Sequence, residues 1–212
     1  MRWYLKRTPQ IFKILFPQIV WNKNSQGKSI YLTFDDGPVV DVTTVILDIL
    51  RQKNVKATFF CLGKNLIKEK QIAAQAISEG HLLCNHSFDH ENSWTTSTSR
   101  YLDSVNLCQA ELESLSAGNS FFRPPFGRLK LRDFRKIKKH FKIVMWSLLS
   151  ADFDINKDKN HCLNTLIRKT KPGDIVVFHD NEKSINKVEY VLPRYIDYCL
   201  NQGYKFSLIN EC

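Results

Sequence analysis

Residues 29–37 read Ser-Ile-Tyr-Leu-Thr-Phe-Asp-Asp-Gly and take the chain from an apolar strand into a turn. Neighbouring side chains of a strand point to opposite faces, so Asp35 and Asp36 can serve one site only where the strand ends and twists. Such a pair suits two roles, because one carboxylate can bind a metal ion while the other accepts a proton. A plain turn is the alternative, since Asp-Asp-Gly-Pro is also good turn chemistry.

The rest of the chain alternates apolar runs with stretches of helical spacing. Strands are predicted at about 30–34, 57–62, 82–85, 120–122, 141–146, 174–178 and 204–209. Apolar residues recur with helical period over 42–50, 101–115 and 188–199, and Asp41 is predicted to cap the first of these helices. Seven β/α units in a row predict an α/β fold with a parallel sheet closed toward a barrel. In such a barrel, the loops that follow the strands meet on one face.

Two histidines follow the predicted strand at 82–85. His86 and His90 are four residues apart in His-Ser-Phe-Asp-His. This spacing predicts a helical turn with both imidazoles on one face, where they can reach one ion. A carboxylate from another part of the chain would complete the site. Because the chain has six histidines, such a pair also arises by chance, so its position after a strand carries the argument.

Three more fragments lie just after predicted strands. Residues 121–127 place Arg123 in a backbone stiffened by two prolines, where the cation can pair with a carboxylate. Residues 146–153 contain Asp152, and residues 173–180 end a strand in His179. Taken singly, each has an ordinary explanation, as a loop cation or as a surface or core histidine.

Together the fragments resemble the polysaccharide deacetylases with a NodB-homology domain, also called carbohydrate esterase family four. The resemblance rests on five motifs in order: Thr-Phe-Asp-Asp-Gly, His-Ser-x-x-His, Arg-Pro-Pro-Phe-Gly, an Asp followed by an aromatic residue, and an apolar-x-His. These motifs span residues 33–179. The resemblance implies a single-domain, distorted (β/α)7 barrel and a metal-dependent hydrolase that removes N-acetyl or O-acetyl groups from a saccharide.

The resemblance also implies a metal and a base. Asp36, His86 and His90 would hold one divalent ion, with Zn2+ as the first choice and Co2+, Ni2+ or Mn2+ as alternatives. Asp35 would be the general base, paired with Arg123.

An acid and a substrate pocket are implied in the same way. His179 would be the general acid, oriented by Asp152. The backbone N–H of Phe126 would help to hold the oxyanion, and Phe153 and Val177 would line the pocket for the acetyl methyl group.

The fourth motif departs from the family pattern. Members commonly carry an Asp three residues after the Trp and a Trp after the second Asp, whereas this chain has Leu149 and Phe153 there. The retained Asp152 is the residue that would orient His179. We therefore keep catalysis as the interpretation and expect the departure to affect the pocket.

Length and composition agree with one domain. The chain has 212 residues, 43% of them hydrophobic, which is enough for a full core. Its six cysteines show no C-x-x-C spacing and mostly lie in apolar elements, so they are interpreted as reduced core residues. Trp94, in the polar loop 91–100, is interpreted as a loop anchor, with a sugar-stacking role as the alternative.

The net charge of +10 raises the possibility of a polyanion-binding protein. The basic residues are spread along predicted helices, as on solvated faces, although residues 130–140 are dense enough to form a patch. No nucleic-acid module is visible, so nucleic acid is not expected as a partner and an acetylated glycan is. A catalytically weak or inactive saccharide-binding protein is the other alternative.

Residues 1–24 precede the predicted catalytic domain at 25–212. Thr8 and Pro9 are predicted to start a short helix that Pro17 stops. Packing of this extension on the barrel is the preferred interpretation. An interfacial membrane contact is the alternative, built from aromatic residues with nearby Lys and Arg, namely Trp3, Tyr4, Phe12, Phe16 and Trp21. Free cysteines and the lack of a recognisable signal peptide predict a protein in the cytoplasm or at the membrane periphery.

Overall fold

One curved sheet organises the chain in the computed structural model, which describes residues 5–23 and 27–210. The strands of this sheet are β1 (Ser29–Asp35), β2 (Thr58–Cys61), β3 (Leu82–Asn85), β4 (Phe121–Phe122), β5 (Lys142–Ile143), β6 (Leu148–Leu149), β7 (Ile175–His179) and β8 (Lys205–Phe206). Their order is β5-β4-β3-β2-β1-β7-β6, with β8 beside the start of β1, and all these pairs are parallel. The predicted distorted (β/α)7 barrel is confirmed.

Helices connect most of the parallel strands, and one short helix precedes β1. They are α1 (Gln10–Leu15), α2 (Val40–Gln52), α3 (Gly63–Lys68), α4 (Lys70–Ser78), α5 (Thr98–Ser114), α6 (Leu131–Ile137), α7 (Lys159–Lys169) and α8 (Ile185–Asn201). The predicted cap of α2 is wrong by two residues. Val39 occupies the capping position. Asp41 lies in the first turn, where its negative charge stabilises the helix through the helix dipole.

Strand β1 divides its side chains between two faces with the period of two that a strand imposes. Phe34 points to the helical layer, where its ring lies 4.9 Å from Phe59 and 6.0 Å from Phe178 between ring centroids. Tyr31 packs in a separate cluster on the other face, inside the curved sheet. Asp35 shares that inner face, so β1 delivers a carboxylate to the barrel interior.

Strand β6 is the one strand that the sequence pattern did not predict. It pairs with β7 through Leu148 and Leu149, whereas the prediction ended the preceding strand at 146 and placed these two residues in the fragment that follows it. Polar and aromatic residues on both sides of its two-residue length hid the alternation that marks a strand.

The N-terminal residues lie along the gap between β5 and β6, the two ends of the sheet path. The backbone N–H of Leu149 donates to the Lys6 carbonyl at 2.8 Å, and that of Thr8 donates to Ser147 at 3.1 Å. On the other side of the gap, Val20 exchanges backbone hydrogen bonds with residues 143 and 145. The edges of the sheet at β5 and β6, which would otherwise be unpaired, are thereby hydrogen-bonded to residues of the same chain.

Helix α1 joins these two docked segments. It begins one residue later than predicted, because Pro9 holds the capping position and the Thr8 hydroxyl donates to the Trp146 carbonyl instead. Of the residues proposed for an interfacial contact, Trp3 and Tyr4 lie outside the described residues. The apolar side chains of α1 are exposed.

Five cysteines are free and buried, at positions 61, 84, 108, 162 and 199, as predicted for core residues. Cys212 lies outside the part of the chain that the structure describes. Among residues 5–23 and 27–210, no helix combines the length and the apolar character needed to cross a bilayer.

Candidate metal centre and active site

The carboxylate of Asp36 lies just beyond the end of β1, in a backbone with φ of +89°. The turn that follows is held by buried Asp180, whose carboxylate accepts from the Gly37 N–H and the Thr43 hydroxyl, both at 2.8 Å. A Cβ on residue 37 would lie 1.7 Å from an Asp180 oxygen, so this position requires glycine. Burial, opposed by these two hydrogen bonds and supported by the negative charge of Asp36, raises the pKa of Asp180 to about 7.

The two histidines reach Asp36 through a bent loop, and the predicted helical turn at 86–90 is wrong. Ser87 and His90 have φ values of +68° and +60°, which a right-handed helix excludes. The buried Asn85 side chain accepts from the Ser87 N–H at 2.9 Å and donates to the Val105 carbonyl at 2.8 Å. These bonds hold the left-handed conformation that turns both imidazoles inward.

Ligand atoms of Asp36, His86 and His90 all lie within 4.8 Å of one another. The Asp36 Oδ1 atom is 3.1 Å from His90 Nε2 and 3.6 Å from His86 Nε2. His86 Nδ1 donates to the Arg123 carbonyl at 2.7 Å, which leaves its Nε2 lone pair for a metal. The sequence therefore identified all three members of a candidate metal site.

The state of Asp36 also fits a metal ligand. Its Oδ1 atom is buried and finds no hydrogen-bond partner among the residues that the structure describes, an arrangement that needs an explanation such as an ion. Burial alone would raise the pKa of Asp36, but the imidazoles of His86 and His90 hold it well below its usual range. Two imidazole nitrogens and one carboxylate form a donor set that suits zinc and leaves coordination positions open.

Asp35 forms an ion pair with Arg123 on the inner face of the sheet. Arg123 is fully buried, and its Nη1 donates to Asp35 Oδ1 at 2.5 Å and to the Thr33 hydroxyl at 2.9 Å. Its other donors reach the backbone carbonyls of Val144 and Met145. Because all three nitrogens of the guanidinium donate hydrogen bonds, it is fixed in place and holds the Asp35 carboxylate in one position.

His179 ends β7 directly beside the end of β1, where it is the register partner of Asp35. Its Nδ1 donates to Asp152 Oδ1 at 2.8 Å, and its backbone N–H donates to Asp152 Oδ2 at 2.7 Å. Burial alone would lower the pKa of His179, but the Asp152 carboxylate and the charges of Asp36 and Asp35 raise it to about 9. The Asp152 carboxylate therefore favours the protonated form of the imidazole.

Three of the predicted pocket residues lie close to these groups. The Phe153 ring contacts His179 edge-on, with ring centroids 5.0 Å apart, and the Phe126 ring contacts His90 at 4.4 Å. Val177 is buried in β7, two residues before His179.

One contact to Asp36 was not predicted from the sequence. The Asn181 amide donates to Asp36 Oδ2 at 2.7 Å, which leaves Oδ1 turned toward the two histidines. Asn181 and Asp180 both follow His179 directly in the chain, so their position after β7 was the available signal. A sequence pattern does not show where a loop turns, so the sequence assigned Asn181 no role.

Trp94 is not a buried loop anchor. Its side chain is 62% exposed and lies over the guanidinium of Arg128, 4.9 Å from the ring centroid. The neighbouring Ser93 anchors the loop instead, because its buried hydroxyl donates to Asp133 at 2.8 Å and accepts from the Lys130 N–H at 2.9 Å. Arg128 follows Phe126 by two residues, so Trp94 extends the surface beside His90.

Comparison with known proteins assigns this geometry to a family. Residues 22–146 match the family model described as polysaccharide deacetylase. The peptidoglycan-N-acetylglucosamine deacetylase of Bacillus cereus is 28% identical over 195 residues, which cover 91% of this chain and 92% of that protein. The crystal structure of the Bc1960 peptidoglycan N-acetylglucosamine deacetylase matches with a TM-score of 0.82 and 27% identity, covering 93% of this chain and 94% of that one.

A third similar structure bears on activity. BA3943 of Bacillus anthracis is described as a CE4 family pseudoenzyme and matches with a TM-score of 0.80 and 25% identity, covering 90% of this chain and 66% of that one. Activity in this fold therefore has to be argued from side chains.

The parallel barrel has the fold of these carbohydrate deacetylases. The chain belongs to the polysaccharide deacetylase family.

Proposed function

We propose that this protein is a metal-dependent hydrolase that releases acetate from an N-acetylated saccharide, with an O-acetylated one as the alternative substrate. The proposal is carried by one observation: a candidate metal site, an Asp–Arg pair and an Asp–His pair converge at the ends of adjacent strands. Asp35 and Asp36 are consecutive, and His179 is the register partner of Asp35.

Asp36, His86 and His90 are the residues that would hold the ion, and zinc is the ion we propose. A divalent ion bound there would polarise the acetyl carbonyl and lower the pKa of a bound water. His86 is oriented for this by its bond to the Arg123 carbonyl, and Asp36 by its bond from Asn181.

Asp35 is proposed as the general base that takes a proton from the attacking water. Its hydrogen bond from Arg123 holds the carboxylate in one orientation, in which it can accept that proton. The Phe126 backbone N–H is assigned to the developing oxyanion.

His179 is proposed as the acid that protonates the departing amine or alcohol. With Nδ1 bound to Asp152, the Nε2 proton is the one that can be donated. Phe153, which contacts His179, and Val177 are proposed to line the pocket for the acetyl methyl group.

Relatives named as peptidoglycan deacetylases support an N-acetylated glycan as the substrate class. The test is acetate release from a panel of N-acetylated and O-acetylated glycans, before and after removal of metal by a chelator. We expect release that stops on chelation and returns with Zn2+. Glycan binding without acetate release would instead identify a saccharide-binding protein, and steeply salt-dependent binding to nucleic acid without glycan turnover would identify a polyanion-binding protein.

Asn181→Ala is expected to weaken metal affinity by about 10- to 100-fold, the usual effect of removing a group that orients a ligand. Without this amide the Asp36 carboxylate can rotate, so Oδ1 is no longer fixed toward the histidines. Zinc affinity measured by chelator competition checks the effect. Asn156→Ala, which removes an exposed amide bonded to Asp154, is the matched control, and equal affinities in the two variants would contradict the assignment.

Trp94→Ala is expected to raise KM for an acetylated oligosaccharide by roughly 2- to 10-fold, as the loss of about 0.5 to 1.5 kcal/mol of aromatic contact implies. A small aryl acetate does not extend to Trp94, so its KM is expected to stay unchanged. Trp94→Phe keeps a ring over Arg128 and is expected to restore most of the difference. An equal rise in KM for both substrates would rule out a contact with the glycan alone.

A further inference from the structure

Helix α1 presents an apolar surface to solvent. Ile14 is 72% exposed and Leu15 is 62% exposed, and three neighbouring side chains are also exposed by more than a third, namely Ile11, Phe12 and Phe16. Five large apolar residues within six consecutive positions form a contiguous patch, which we call the α1 face. Surface apolar residues scattered singly need no explanation, but a contiguous patch marks an interaction site.

The α1 face is a fixed part of the fold. Before the helix, residues 6–8 pair with the β6 segment, and after it Val20 pairs with the β5 segment. Trp21 contacts the C-terminal part of the helix. Its indole N–H donates to the Phe16 carbonyl at 3.1 Å, and its ring centroid lies 6.2 Å from that of Phe12. The exposed side chains are therefore presented by a helix that is held at both ends.

The segment that carries the α1 face is basic. Residues 5–23 contain four Lys and Arg residues, namely Lys6, Arg7, Lys13 and Lys23, and no Asp or Glu. The nearby carboxylate of Asp174 is paired with Arg7, which donates three hydrogen bonds to it at 2.9, 3.0 and 3.2 Å. Lys13, on α1 itself, lies within electrostatic range of Arg7 and Lys171.

A second basic group includes Lys6, in the segment that precedes α1. Lys6 is within electrostatic range of Lys157 and Lys169 and of one carboxylate, that of Asp154. Exposed apolar side chains with a rim of cations are the combination by which a short amphipathic segment binds an anionic bilayer surface.

We propose that the α1 face docks this protein on the surface of an anionic lipid bilayer, with Ile14 and Leu15 inserted at the headgroup boundary. A second copy of the chain is a poorer occupant. A two-fold interface would bring the same basic rim of each copy together, and the like charges would repel. This inference is independent of the proposed deacetylase activity.

The test is co-sedimentation of the full chain with two kinds of vesicle. One contains phosphatidylglycerol mixed with phosphatidylcholine, and the other contains phosphatidylcholine alone. We expect binding to the mixed vesicles that weakens with added salt, and much weaker binding to the neutral vesicles. Ile14→Glu combined with Leu15→Glu is expected to lower the partition coefficient by roughly tenfold or more, because each buried apolar side chain contributes about that factor.

The matched control is Leu107→Glu combined with Leu200→Glu, which makes the same charge change at exposed positions on α5 and α8. This control is expected to bind vesicles as the unaltered protein does, apart from a small general charge effect. Equal binding by the two double variants, or no binding by the unaltered protein, would overturn the proposal. A concentration-dependent dimer that the α1 variant abolishes, in the absence of vesicle binding, would assign the face to a second copy.

Circular dichroism and thermal unfolding check that both double variants fold. Acetate release from a soluble oligosaccharide provides the separate readout for the proposed activity, and both double variants are expected to keep it. Loss of vesicle binding with unchanged turnover would thus concern the α1 face alone.

Discussion

Asp35→Asn protein is expected to retain its metal and lose turnover by about 10² to 10⁴, the range that general base catalysis contributes. Asparagine has nearly the same shape as aspartate, and its Oδ1 can still accept the hydrogen bond from Arg123 Nη1. The substitution therefore removes the proton acceptor while it leaves the ligand atoms of Asp36, His86 and His90 in place. Elemental analysis and initial rates of acetate release on the same sample provide the measurement.

Asp36→Asn is the matched variant, since it makes the identical change at the next residue. In this variant we expect metal affinity to be lowered or lost, because a neutral amide replaces the one anionic ligand of the candidate site. Equal metal loss in both variants would contradict the division of roles. Asp35→Asn also leaves the Arg123 charge buried without its anion, so thermal unfolding has to be measured and turnover compared well below the lower Tm.

His179→Ala is expected to be severely impaired on an N-acetyl sugar, again by about 10² to 10⁴, and to lose much less on an aryl acetate. An amine cannot depart without a proton, whereas a phenolate is stable enough to leave unaided. The comparison of the two substrates isolates the proton donated by the imidazole. Loss by the same factor on both would make His179 a structural or substrate-binding residue.

Asp152→Asn provides a pH readout for the same pair. The acid must be protonated, and because the pKa of His179 is raised from 6.5 to about 9, activity is expected to persist to alkaline pH and fall as the pH rises through that value. Without the Asp152 carboxylate, the pKa of His179 falls toward its ordinary value. The alkaline limb of kcat/KM should therefore move to lower pH, and an unmoved limb would show that His179 does not supply the proton.

The raised pKa of His179 also makes the stability of the fold depend on pH. A histidine whose pKa is higher in the folded state stabilises the fold fully below its unfolded pKa of 6.5, and this contribution is lost as the pH rises through about 9. The free energy of unfolding in Asp152→Asn protein should accordingly depend less on pH between these values.

The sequence was sufficient to predict all but one of the strands that carry the site, because an apolar run that ends in an unusual polar residue is visible without coordinates. Asp35, Asp36, His86, Arg123 and His179 each follow or end such a run, and the structure brings them together. The assignment of separate roles to them came from the family resemblance and remains a proposal.

Other features of the site could not be predicted because they depend on loop conformation. The loop from His86 to His90 contains two residues with positive φ. The spacing of four had instead predicted a helical turn there. Asn181 reaches Asp36 only because the chain turns after β7. Trp94 was interpreted as the anchor of its loop, but its side chain is exposed and its neighbour Ser93 makes the buried contacts.

The pairing of residues 6–8 and 20 with the two ends of the sheet sets a limit on trimming this protein. The family match begins at residue 22, so a shortened chain cut at that boundary would lack the segments that pair with β5 and β6. Unpaired edges of a sheet recruit edges of other molecules. We expect such a chain to retain the site residues and yet aggregate during refolding, which light scattering would detect, whereas removal of residues 1–4 alone would leave those pairs intact.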